Sequence, residues 1–170
     1  MGFDEAIARL KRQSAAYELV ILVWGPGKDS GEHYEKRCKI RDEIRRRFYN
    51  ADVRFSEEID LNGALPGIDR RDYLTQELWH LAACDVCVVL DTSSGAGEEI
   101  ARHVGSREAY KLLILTHERH RHSTDFPSAI RRHQNQLFYN DQQYASCNLV
   151  EYVLSRLHTV ALGKLCDIKV

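Results

Sequence analysis

The chain has 170 residues, 44% of them hydrophobic, which suits one domain with a sizeable core and no internal boundary. Lys and Arg total 24 against 25 Asp and Glu, so no whole-molecule field favours a nucleic-acid polymer or an anionic membrane. No apolar run approaches a membrane span, and Met1-Gly2-Phe3-Asp4-Glu5 lacks a basic segment ahead of an apolar one, so a cytoplasmic protein is expected.

Residues 3 to 15 read as an amphipathic helix (Phe3, Ile7, Leu10), an extension over residues 1 to 16 that leads to the apolar strand Leu19 to Trp24. Gly25-Pro26-Gly27-Lys28-Asp29-Ser30-Gly31 breaks the pattern. From about His33 to Tyr49 the spacing of Tyr34, Cys38, Ile44 and Phe48 predicts a helix. Its basic run, Arg45-Arg46-Arg47, follows Asp42 and Glu43 and is read as a solvated helix end favoured by the macrodipole. Val53 to Phe55 is a second short strand ending in Ser56-Glu57-Glu58, and a polar loop with Asn62-Gly63 and Pro66-Gly67 follows.

A helix from Asp72 to Cys84 leads to the strand Val86 to Leu90, and a helix from Gly97 to about Val104 leads to the strand Lys111 to Thr116. His117 to Asp125 reads as a polar loop, Phe126 to His133 as one or two helical turns, and Gln136 to Tyr139 as a fifth strand. The last helix runs from Cys147 to about Leu162 with Leu149, Val153, Leu157 and Val160 facing inward. Five cysteines (Cys38, Cys84, Cys87, Cys147, Cys166) are scattered as in a reducing compartment. Cys84 and Cys87 have redox-motif spacing, but they straddle the start of an apolar strand and no second ligand pair is visible. His117, His120 and His122 are interleaved with charged residues, so no metal site and no cofactor are expected.

Strands alternating with helices predict an α/β fold of flavodoxin or Rossmann-like type, with a five-stranded parallel sheet in the order 2-1-3-4-5 and helices on both faces. Ligands of such sheets sit at the carboxyl ends of the strands, near the switch between strands one and three. The glycine loop after strand one, Glu57 after strand two and the turn Asp91 to Glu99 after strand three are expected to meet there. The loop at Gly25 is neither a P-loop nor a dinucleotide fingerprint. It offers backbone donors, the Lys28 ammonium and the Ser30 hydroxyl, which suit a phosphate or a ribose. In Asp91-Thr92-Ser93-Ser94-Gly95-Ala96-Gly97-Glu98-Glu99, an acid ends a strand, a small-residue turn permits close backbone approach, and a helix opens with two carboxylates.

Gln76-Glu77-Leu78, Leu81-Ala82-Ala83-Cys84-Asp85-Val86-Cys87-Val88-Val89, Ser93-Ser94-Gly95-Ala96-Gly97-Glu98-Glu99 and Pro127-Ser128-Ala129-Ile130-Arg131 together resemble the nucleoside 2-deoxyribosyltransferase-like superfamily. Within it the chain looks most like the 2'-deoxynucleoside 5'-phosphate N-hydrolases. The resemblance implies one such domain over residues 1–170, with Glu99 as the catalytic glutamate and Glu77 in place of a catalytic aspartate. Ser93 and Ser128 match serines that bind the 5'-phosphate, the latter across a homodimer interface, and Gly25 matches the glycine of the first loop. Leu22 stands near where the family often has a tyrosine, and Lys28 replaces an arginine, with loss of its bidentate contact.

The expected activity is cleavage of the glycosidic bond of a nucleotide or nucleoside, by hydrolysis or by transfer of the sugar. Glu99 attacks or shields C1', Glu77 serves as acid and base, and Gly25, Gly27, Lys28, Ser30, Ser93, Gly95, Gly97 and Ser128 hold phosphate and sugar, with Glu57 and Asp91 on the sugar hydroxyls. Three alternatives stay open: a glycohydrolase of NAD related to Toll/interleukin-1 receptor-like domains, a nucleotide-binding sensor without turnover, and a domain whose acids only begin helices.

Overall fold

The computed structural model describes residues 2–61, 73–91, 100, 103–121 and 135–167. In chain order they form α1 (Phe3–Ala15), β1 (Val20–Trp24), α2 (Glu32–Arg47), β2 (Asp52–Phe55), α3 (Tyr73–Ala83), β3 (Val86–Asp91), β4 (Leu112–His117), β5 (Gln136–Tyr139), α4 (Asp141–Ser146) and α5 (Leu149–Leu165). Ile100 and residues 103–104 are also helical, within the span predicted for a helix from Gly97. The turns predicted over Phe126 to His133 lie outside the described residues. The five strands are parallel in the order β2-β1-β3-β4-β5, as the alternation of elements predicts.

Alternation along each strand sorts the core into two layers. Ile21 and Val23 of β1, Val86, Val88 and Leu90 of β3, and Leu113 and Leu115 of β4 join Ile40, Ile44 and Phe48 under α2 and α5. Leu22 and Trp24, Cys87 and Val89, and Leu112 and Ile114 point the other way, with Leu81 of α3 and Ile100. Leu149, Val153, Leu157 and Val160 form the inward seam of α5 as expected. Among the described residues the helix α4 escaped the pattern; the Asn140 side chain accepts from the Gln143 N–H at its start, and the helix ends at Cys147 with φ 58°. Its signal is the reciprocal Asn140 and Gln143 capping box, not apolar periodicity. His117, expected in a loop, is the last residue of β4.

On α2 the buried stripe differs from the one expected. Tyr34 and Cys38 are only partly covered, while Arg37 is buried in register with Ile40, Ile44 and Phe48. Arg37 Nε and Nη2 donate to the Val23 carbonyl at 3.1 and 2.7 Å, and Nη1 donates to the Pro26 carbonyl at 3.2 Å. Its two terminal nitrogens also grip both oxygens of Glu57, at 2.8 and 2.7 Å. Arg45, Arg46 and Arg47 are exposed at the end of α2, as read from the sequence.

Burial pushes the Glu57 carboxyl up, but the hydrogen bonds and charge of Arg37, with help from the Glu57 backbone N–H and Ser56, outweigh it, so the net shift is downward. The stabilisation linked to this shift is fully present above the ordinary carboxylate range and is lost as pH falls through the lowered value. Arg37→Met is expected to cost about 3 kcal/mol and to flatten this acid-side loss, as read from urea midpoints across pH. An unchanged midpoint at neutral pH contradicts the role given to Arg37.

Candidate functional site

The carboxyl end of β1 fixes the first loop. Gly25 has φ +148°, and a Cβ there would lie 3.1 Å from the Leu90 carbonyl oxygen and 3.2 Å from the Leu90 Cβ. Glycine is therefore needed for β1 to turn off beside β3. Beyond it, Lys28–Ser30 make a 3-10 turn in which the Ser30 N–H donates to the Gly27 carbonyl at 3.0 Å, and Gly27, Lys28 and Ser30 are exposed. The Arg37 guanidinium joins this loop to Glu57, so two of the segments expected to meet at the switch do so, through a residue not singled out in the sequence.

Asp91 ends β3 and is fully buried. Its Oδ2 accepts from Thr116 Oγ1 at 3.3 Å, and the same Thr116 oxygen accepts from Gln136 Nε2 at 3.1 Å. The Asp91 carboxylate thus packs against β4. Strand alternation puts Asp91 and Thr116 on the same sheet face as Trp24.

Two helices add polar groups to that face. Glu77 lies on α3, and its Oε2 is 2.5 Å from Nε2 of His103, whose side chain is fully buried while that of Glu77 is 21% exposed. The His103 ring stands 5.7 Å from Trp24, tilted by 56°. Glu77 lies near the middle of α3, and its partner His103 packs on Trp24, the last residue of β1. Among the described residues neither Trp24 Nε1 nor His103 Nδ1 has a hydrogen-bond partner. His80, one turn after Glu77, is also buried; burial pulls its imidazole down and the Glu77 charge only partly opposes this.

His103 was not legible as a site residue from composition or pattern. Its one signal is its position four residues after Glu99, the spacing that stacks two side chains on one helix face. Ser93, Gly95, Gly97, Glu99 and Ser128 lie outside the described residues. Burial pushes the Cys84 thiol up to about 12 and the Cys87 thiol well up, the reverse of what a reactive thiol pair needs. His117 Nε2 donates to Asp141 at 2.9 Å and its Nδ1 accepts from the Arg119 N–H, so both ring nitrogens are engaged within the protein.

The crystal structure of a conserved protein from Enterococcus faecalis V583 is similar to this chain, with a TM-score of 0.50 and 16% identity over 84% of this chain and 99% of that one. At that identity the likeness shows the fold alone. No family model matches the chain, and no curated protein matches it.

Gly25→Ala is expected to destabilise the fold by about 2 kcal/mol, because a positive φ and a backbone oxygen both oppose the new methyl. Gly27, with φ −73° and nothing within 4 Å of an added Cβ, should tolerate alanine with little change. Denaturation midpoints of the two variants check this; equal midpoints contradict the close approach of β1 to β3.

Proposed function

We propose that the protein cleaves the N-glycosidic bond of a nucleotide or nucleoside, with Glu99 acting at C1' and Glu77 serving the departing base, as the resemblance to nucleoside 2-deoxyribosyltransferase-like enzymes implies. The observation that carries this reading is the Glu77–His103 pair at 2.5 Å, beside Trp24 and near the switch point of the sheet. A carboxyl meant to exchange a proton with a leaving group benefits from a fixed hydrogen-bond partner and restricted water, and Glu77 has both.

The Glu99 carboxylate attacks C1', or shields it as positive charge develops, and the C1'–N bond breaks with its electron pair moving to the base. The base takes up the proton held between Glu77 and His103. Water, or a second base, then bonds to C1' and gives a proton back to that pair, which releases Glu99. His103 is a positioning residue in this scheme. Gly25, Gly27, Lys28 and Ser30, with Ser93, Gly95, Gly97 and Ser128, hold the phosphate and sugar. Glu57 and Asp91 face the sugar hydroxyls in the same proposal. Supply of Ser128 by a second subunit belongs to the same proposal.

The test incubates the protein with deoxynucleoside monophosphates and, separately, with NAD, and measures free base. Release from a deoxynucleotide is expected, with Glu99→Gln abolishing turnover while nucleotide-induced thermal stabilisation persists. Glu77→Gln should lower turnover by roughly 10²–10⁴-fold. Release of nicotinamide from NAD alone replaces the proposed substrate. No base from any of them, or full turnover in Glu99→Gln, overturns the mechanism.

A further inference from the structure

His80 of α3 is only 7% exposed, and among the described residues neither of its ring nitrogens has a hydrogen-bond partner. A buried imidazole left in that state costs free energy, and protein interiors avoid it unless something outside the chain completes the bonds. Its ring lines a cavity of about 250 Å³, together with Leu22 of β1, Ile59 and Leu61 after β2, and Trp79 and Ala83 of α3. Val20 and Asp52, the first residues of β1 and β2, also reach it. The Asp85 N–H donates to the Val20 carbonyl at 2.8 Å, which fixes the end of α3 at the amino end of β1. The cavity therefore lies toward the amino ends of the strands, and Trp24, Glu77 and Asp91 take no part in its lining.

The lining decides what fits. Its charged residues, Asp52 and Arg54, are paired with each other, Arg54 Nε donating to Asp52 Oδ1 at 2.8 Å, so the cavity offers no net charge to an ion. Leu22, Ile59 and Leu61 are apolar, and Trp79 adds an indole plane that is 47% exposed. Flat rings pack well on such a surface. A dry cavity of ~150 Å³ accepts a benzene ring, so about 250 Å³ has room for two fused rings. Burial pulls the His80 imidazole down, which favours the neutral ring with one N–H donor and one bare nitrogen. The ring torsion of a histidine is soft, so either edge can be turned to a ligand.

We propose that this cavity is a small-molecule site distinct from the proposed catalytic one, and that it takes a neutral, fused two-ring aromatic carrying a single N–H or O–H, with the rings against Leu22 and Trp79 and the polar group bonded to His80. His80 gives the site its selectivity, because its bare nitrogen accepts from the ligand's N–H or O–H. An apolar ring of the same shape leaves both nitrogens unpaired, and a charged one loses its water without gaining a counter-ion. Binding is read without turnover, so the site stands or falls apart from the glycosidase reading.

Indole and indene, which share a shape and differ by an N–H in place of a methylene, are the probes, each titrated into the full chain and followed by heteronuclear NMR. Indole is expected to bind with a dissociation constant below about 1 mM, shifting the His80 ring and Leu22 methyl signals, and indene about ten-fold more weakly. His80→Phe, which keeps a flat ring but loses both nitrogens, should bind the two equally. Ala83→Trp fills the cavity from an exposed position and should bind neither, with the circular dichroism spectrum unchanged in both variants. Indole that moves only signals outside the cavity, equal affinity for the two probes in the wild type, or a preference retained in His80→Phe overturns the proposal.

Discussion

A buried guanidinium organises the carboxyl edge of this sheet. Arginine keeps its charge at any ordinary pH, so burying one requires that its donors be met at fixed positions. Arg37 meets that requirement by drawing together the last turn of β1, the Pro26 carbonyl and the carboxylate that follows β2. The Phe55 ring, 4.1 Å from the guanidinium carbon, covers it from one side. With β1 and β2 held in this way, the chain leaves β1 beside Leu90, and only glycine fits at residue 25.

The sheet then divides its polar work between two faces. On the side of α2 and α5, the cation and its partner carboxylate neutralise each other, and the Glu57 carboxyl stays ionised. Across the sheet, Asp91 is enclosed with Thr116, and Glu77 is held by His103 under Trp24. In the proposed function this second face serves proton transfer to a departing base, with a carboxyl of restricted solvent access and a ring that fixes its direction. The first face supplies the exposed turn at Lys28 and Ser30, where an anion has room. In the proposed function a nucleotide spans the switch between β1 and β3 and touches both.

Much of this was legible in the sequence because strands alternate with a period of two and amphipathic helices with one near 3.6. The sheet order, the two-layer core and the seam of α5 all follow from those periods. Arg37 was hidden because a charged residue in a charged helix reads as solvent-facing, although it lies in register with Ile40 and Ile44. His103 was hidden because a single histidine carries no periodic signal; only its helical distance from Glu99 marks it. The short α4 is set by a capping box, so a search for apolar spacing passes over it. Asp91 shows the converse: the sequence marks an acid at a strand end, but not that a neighbouring threonine encloses it. The roles of Glu99, Ser93 and Ser128 rest on resemblance of motif, and those of Glu77 and His103 also on geometry.

The most direct measurement is a crystal structure with a deoxynucleoside monophosphate bound to the Glu99→Gln variant. The account predicts the sugar at the carboxyl ends of β1 and β3, with C1' about 3–3.5 Å from the residue-99 side chain. It also predicts the base within hydrogen-bond reach of Glu77, and the phosphate at the turn that contains Lys28 and Ser30. A nucleotide bound on another part of the surface, or one whose base lies out of reach of Glu77, contradicts it.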